Sequence, residues 1–427
     1  MLEQAPISHR LYQEAVFCAS PRILDDGMNK STEVHASLST KAGVRSRRLT
    51  ITLYSIAVFL YWVALYLYVP TLPTYVQSKS ESLALVGVVL SMYGLWQAII
   101  RLPLGIAADW LGWRKPFIVV GLALAGLGAW TMGVADSVNG LIIGRAVTGL
   151  AACTWVLLVV VFSSLFPPQE AVRASALLTS VGSVGRVLAT GVTGWLNELG
   201  GHSLAFFLAT VAAALAILIV LPTREVRRRP QRPSLAGIGS LITRPDVLFP
   251  SLLAALCQYA NWAITFSFMP ILARQLGATD VMQSALMSMH TGVMILGSLA
   301  ASTIVNRVGA RRLVYLSFAL LSTGIGGEAL AASLPLLFVS QFCIGLAQGI
   351  SYPVLMGMSI QHVADAERTT AMGLHQAVYA VGMFSGPWVS GRLADAIGIR
   401  PMFGVTAFFC LVLGMFVARW LTDKRAD

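Results

Sequence analysis

From residue 49 to residue 420 the chain alternates long apolar runs with short polar breaks, and the runs share one length scale of roughly twenty to twenty-five residues. A helix rising 1.5 Å per residue needs ~20 of them to cross a hydrocarbon core of ~30 Å. The pattern predicts twelve helical spans, at 49–69, 83–107, 117–135, 139–165, 174–196, 203–221, 249–272, 283–305, 313–332, 335–361, 370–394 and 402–420.

Composition agrees with a membrane solvent. Of 427 residues 56% are apolar and 11% charged, and the mean hydropathy is +0.73. Most Lys and Arg fall in the tails and alternate loops, whereas Lys79, Arg274 and Arg400 stand on the other side, so both termini are expected in the cytoplasm. The net charge of +11 is spread over those loops and needs no nucleic acid. Cys18, Cys153, Cys257, Cys343 and Cys410 show neither disulfide nor metal-ligand spacing, and no cofactor is expected. Residues 1–48 lack an apolar signal core and are read as a disordered cytoplasmic tail, with Met28 an alternative start.

The Arg- and Pro-rich stretch at 222–248 is read as a cytoplasmic linker between two six-helix bundles, 49–221 and 249–420, with a cytoplasmic tail at 421–427. Shifting the chain by 197 places Asp109 on Asn306, Gly112 on Gly309, Arg114 on Arg311, Gly194 on Gly391, Glu198 on Asp395 and Gly201 on Gly398; a shift of 196 places Arg145 on Gln341. Such a repeat in one orientation predicts pseudo-symmetric halves with a solute path between them.

The loop GIAADWLGWRK at 105–115 spaces Gly105, Asp109 and Gly112 ahead of Arg114 and Lys115. It resembles the loop signature of the major facilitator superfamily, and IIGRAVTGLAA at 142–152 resembles that family's fourth-span Arg motif. The resemblance covers about residues 49–420 and implies a transporter fold of twelve transmembrane helices in two six-helix bundles. It places Asp109 at the N-terminus of the eleventh span, near Arg368 to Thr370, as a latch on one of two alternating-access states. Gly105 would allow close helix approach, and Arg114 and Lys115 would hold the loop at an anionic leaflet. The second copy, with Ser302, Asn306, Gly309 and Arg311, lacks the Asp and is expected to latch more weakly. The antiporter signature expected in the fifth span is altered: GSVGRVLATG carries Arg186 in the Pro position, while GMFSGPW lies in span eleven.

Polar groups at membrane depth are candidate functional groups because each is costly unless partnered. Arg186 lies in a small, polar row with Thr179, Gly182, Thr190 and Thr193 at helical spacing and is the leading candidate for solute binding. Gln258, Asn261, Gln348, Tyr352 and Tyr379 are further binding candidates, each also suited to helix packing. Arg101, expected to snorkel toward the inner surface, Arg145, His290 and Glu328 are candidates for coupling or structure.

The chain is thus expected to be a monomeric secondary transporter of a small organic solute in the plasma (cell inner) membrane, working by alternating access. An anionic solute moving outward is favoured because the buried charge of the first half is cationic. Proton-coupled export of neutral or cationic amphiphiles and proton-coupled nutrient import are the alternatives. Lipid is an expected partner, and protons enter under either alternative. No HExxH, GxSxG or paired carboxylates suggest an enzyme.

Overall fold

In the computed structural model the described residues are 47–223, 241–364 and 367–421, and they are almost entirely helical. The first half comprises α1 (Arg47–Tyr66), α2 (Leu72–Lys79), α3 (Leu83–Leu111), α4 (Lys115–Gly133), α5 (Val138–Ala152), α6 (Trp155–Ser163) and α7 (Ala171–Val220). The second comprises α8 (Pro245–Ala263), α9 (Met269–Gln275), α10 (Asp280–Val308), α11 (Ala310–Ala329), α12 (Leu334–Ile360), α13 (Arg368–Ile397) and α14 (Ile399–Ala418). Residues 1–46 of the expected N-terminal tail, most of the linker and residues 422–427 of the expected C-terminal tail lie outside the described residues, while Arg47 and Arg48, expected in the tail, already belong to α1.

Nine helical stretches among the described residues are long and apolar enough to cross a membrane. One of them, 48 residues within α7, is more than twice the needed length, and it breaks at Gly200 and Gly201, where φ turns to +69° at the second glycine. Helices α11 and α13 fall short on composition, yet the expected spans at 313–332 and 370–394 lie on them. All twelve expected spans therefore have a helical counterpart.

Three crossings are interrupted, each for a visible reason. Pro70 and Pro73 separate α1 from α2, since proline has no N–H to give a helix. The break at Cys153 and Thr154 separates α5 from α6, and the Tyr61 hydroxyl donates to the freed carbonyls of Ala151 and Ala152 at 3.2 Å each. Between α8 and α9 lie five residues of π-helix, Ile264–Phe268, just ahead of Pro270.

The internal repeat reappears as backbone geometry. Gly112 and its repeat mate Gly309 end α3 and α10 at φ +62° and +92°, and Gly201 and Gly398 turn the chain at φ +69° and +89°. These four positions require a left-handed conformation that a Cβ disfavours, which is why the repeat retains glycine there.

Between the halves, α3 packs on α13 and α7 on α10. Val220 and Pro245 end at one face, called here the linker face. At the opposite, far face the halves touch backbone to backbone. A Cβ on Gly194 would lie 2.4 Å from Val281 N, and one on its mate Gly391 would lie 2.8 Å from Leu83 O. Polar clasps close the same face: Asp395 accepts from Leu83 N and Ser82 Oγ at 3.0 Å each, and Asn197 Nδ2 donates to Asp280 Oδ2 at 2.8 Å while Arg274 pairs with the other oxygen. Toward the linker face the approach is looser: among the described residues a Cβ on Gly105 or Gly292 would meet no atom within 4 Å, whereas one on Gly373, near the linker end of α13, would meet Leu102 Cδ1 of α3 at 3.7 Å. The close approach expected of Gly105 is not made in this closed-far arrangement.

Candidate functional site

The central site is built on α1 and the first part of α7. Gly182 has no side chain, so the Trp62 indole lies on the α7 backbone: a Cβ there would sit 2.5 Å from Trp62 Nε1. Four residues on, Arg186 stacks its guanidinium over Trp62, 4.8 Å from the ring centre, with Tyr66 at 5.9 Å. The row read as facing a cavity thus rests mostly on α1, and Thr193 Oγ1 donates to Leu67 O at 2.8 Å. Arg186 itself is half-buried; its Nη2 donates to Ser183 Oγ at 3.0 Å, and its Nε has no partner. Gly182→Val should tip Trp62 off α7 and unseat Arg186, raising the transport KM about tenfold with little change in membrane abundance. Flux and abundance measured together test this.

Arg101 does not snorkel. Its Nη2 donates to Gln97 Oε1 at 2.5 Å, one turn toward the far face, and its Nη1 to Gln376 Oε1 on α13 at 3.4 Å. The guanidinium is drawn inward because two amide oxygens at mid-depth satisfy it better than the distant surface. Both Arg101 and Arg186 lie within electrostatic range of the Tyr379 hydroxyl. Tyr379 pairs edge-on with Tyr352, ring centres 5.9 Å apart, and Tyr352 is 42% exposed despite sitting mid-helix. The site therefore joins Arg101, Arg186, Trp62 and Tyr66 from one half to Tyr352, Tyr379 and Gln376 from the other.

Above it runs a chain of rings. Arg145, 2% exposed, lies 4.3 Å over Tyr93; Tyr93 stacks on Trp262 at 5.1 Å, Trp262 on Phe266 at 4.7 Å, and Phe266 meets Tyr66 edge-on at 6.3 Å. Tyr66 in turn meets Trp62 at 5.5 Å. Five rings, Tyr93 from the first half, Trp262 and Phe266 from the second, and Tyr66 and Trp62 from the first again, run between Arg145 and Arg186. Arg145 Nε and Nη1 have no hydrogen-bond partner, and the ring face helps to offset its burial.

The other candidates lie apart. Gln258 Nε2 donates to Gln348 Oε1 at 3.4 Å and Gln348 Nε2 to Cys257 O at 2.8 Å, a packing link between α8 and α12. Asn261 is buried with Oδ1 unpartnered. Glu328 is fully buried, its Oε1 accepting from Gln341 Nε2 at 2.6 Å, and Gln341 Oε1 accepts from Thr265 Oγ1 at 3.3 Å. His290 is buried with neither ring nitrogen bonded.

In the loop motif, Lys115 Nζ donates to Leu221 O at 2.7 Å and Thr223 O at 2.5 Å. It caps the C-terminus of α7, where free carbonyls and the helix dipole favour a cation, rather than reaching for lipid as expected. Arg114 is the N-cap residue of α4. Arg311 turns onto its own helix, 3.4 Å from the Tyr315 hydroxyl, and Asn306 is exposed. The Asp109 side chain is not among those described. Lys115→Met should lower the thermal stability of the first half by about 1 kcal/mol, readable as a shift in melting temperature.

The sequence singled out Arg186, Tyr352 and Tyr379 but did not single out Trp62 and Tyr66 within the aromatic run of the first span, which reads as packing and interface belt with a candidate cavity-facing subset. Their i, i+4 spacing on the face opposite Arg186 was the available signal; which helix Arg186 would meet was not.

Helices long and apolar enough to span a membrane, in two halves that meet tightly at one face and share a polar site, define a multi-pass membrane transporter. More narrowly, the chain belongs to the Major Facilitator Superfamily, whose family model matches residues 54–257 and again 251–427. It is a carrier of small molecules and not an enzyme. It is similar to multidrug resistance protein MdtH of Aeromonas salmonicida, 27% identical over 75% of this chain and 81% of the relative. Multidrug resistance protein 1 of Bacillus subtilis is 21% identical over 88% of this chain and 97% of that protein. Among solved structures, the nucleoside transporter NupG superposes with a TM-score of 0.71 at 18% identity, covering 87% of this chain and 98% of that one.

Proposed function

We propose that the protein exports a small organic anion across the cell inner membrane by alternating access, with the linker face and both termini cytoplasmic. One observation carries this reading. Arg101 and Arg186 lie at mid-depth between the halves, and among the described residues neither pairs with an acid. Apart from Glu328, which is bound to Gln341 in the second half, every Asp and Glu of the described residues lies at a helix end or in a loop. Two guanidiniums without a counter-charge favour an anionic guest. Arg does not release its proton at working pH, so these groups bind charge rather than carry protons. An inside-negative potential drives an exported anion outward by ~2.3 kcal/mol per charge per 100 mV.

The rival reading, proton-driven efflux of amphiphilic drugs, is favoured by the names of the multidrug resistance relatives. Vesicles in which potential and pH gradient are imposed separately distinguish the two. Flux that follows the potential and ignores the pH gradient is the expected result; flux that survives loss of the potential and stops with loss of the pH gradient supports antiport and overturns ours.

A further inference from the structure

The lining of the central site says more than the sign of the solute's charge. Trp62 and Tyr66 lie under the Arg186 guanidinium, and the Tyr352–Tyr379 pair stands across from them on the other half. Tyr66 is buried, but Trp62 and Tyr379 are half-buried and Tyr352 is 42% exposed, so part of this ring surface stays accessible. Arg186 lies over Trp62 with Nη2 on Ser183 and Nε buried without a partner, so its face stays on the indole and the described residues leave its hydrogen-bonding capacity unfilled.

Resting on the anionic reading above, we propose that the transported solute is a planar aromatic anion. Its acidic group meets the Arg186 guanidinium, and its ring lies against the accessible faces of Trp62 and the Tyr352–Tyr379 pair. Each neighbouring class leaves something unmet. An aliphatic anion satisfies the guanidiniums but forgoes the ring faces, which favour offset or edge-on aromatic contact. A neutral aromatic leaves both cations without a counter-charge, and a cationic one is repelled by them. The Tyr66, Tyr93, Trp262 and Phe266 rings are each less than 9% exposed, so the aromatic surface open to a guest is that of Trp62, Tyr352 and Tyr379.

The test uses the full chain in proteoliposomes and four probes of similar size: benzenesulfonate, cyclohexanesulfonate, benzenesulfonamide and benzyltrimethylammonium. Sulfonates stay charged at all working pH values, so protonation does not enter. Benzenesulfonate is expected to be transported at least about tenfold more efficiently than cyclohexanesulfonate, with the other two weaker still. In a Tyr352→Leu, Tyr379→Leu double variant the ratio of the two sulfonates' efficiencies should fall to near unity, read beside the melting curve of the purified variant; an unchanged ratio in a variant that melts cooperatively would overturn the aromatic inference. Equal transport of the two sulfonates would overturn the aromatic inference and leave the anionic reading standing. Preference for the sulfonamide or the ammonium probe overturns both, as does transport of none of the four.

Discussion

Replacing Arg186 by Leu should abolish measurable transport, lowering flux by a hundredfold or more, while the protein still reaches the membrane and melts cooperatively. The guanidinium makes one described hydrogen bond, to Ser183 on its own helix, and rests on Trp62, so no link between the two halves depends on it. Leu preserves the apolar contact with the indole and removes the charge. A charged hydrogen bond contributes about 1.5–3 kcal/mol, or roughly ten- to a hundredfold in binding, and loss of the potential-driven coupling adds to that. Arg186→Lys should retain part of the activity, since a charge remains without the planar fork. Flux per inserted molecule, with the melting curve of each purified variant, checks the result. Failure of the Leu variant to fold while Lys folds and transports normally would make Arg186 a structural residue.

The second large effect concerns the far face. Gly94→Leu and Gly391→Leu put side chains where a Cβ alone would lie 2.5 Å from Met383 C and 2.8 Å from Leu83 O. Backbone cannot yield as a flexible side chain does, so α3 and α13 must separate there. The closed-far state seen here would be lost, and cycling should slow about a hundredfold. Gly105→Leu is the control for the conformation alone: its Cβ meets nothing within 4 Å here, so the closed-far state should survive it. Thiol labelling of a Cys introduced at Trp62 reads the outcome: in the Gly391 variant it should become accessible from the far face and less so from the linker face. Unchanged labelling in that variant would contradict the assigned conformation.

The spans were legible because membrane solvent demands long apolar helices, and the duplication was legible because Gly112, Gly201, Gly309 and Gly398 hold backbone conformations that other residues resist. What escaped a linear reading was which helices meet. Arg101 was expected at the surface because its position in the span allows snorkelling; Gln376, which helps hold it inward, is 275 residues away. Lys115 was assigned to lipid because the carbonyls it caps belong to a helix end more than a hundred residues on. Arg145 looked unpartnered because its partner is a ring face, which carries no formal charge and leaves no mark in a charge pattern. Glu328 was visible as an intramembrane acid, but its bond to Gln341, the repeat mate of Arg145, appears only in the fold.

The central claim is that a negatively charged solute crosses with its charge at a site containing Arg186. Current recorded from proteoliposomes on a solid-supported membrane tests it most directly, using benzenesulfonate as the jump solute and Arg186→Leu as the reference. The expected result is a transient in which negative charge moves with the sulfonate, absent from the Leu variant and unaltered by a pH gradient. Electroneutral flux, or a current of the opposite sign that vanishes when the pH gradient is removed, would contradict it.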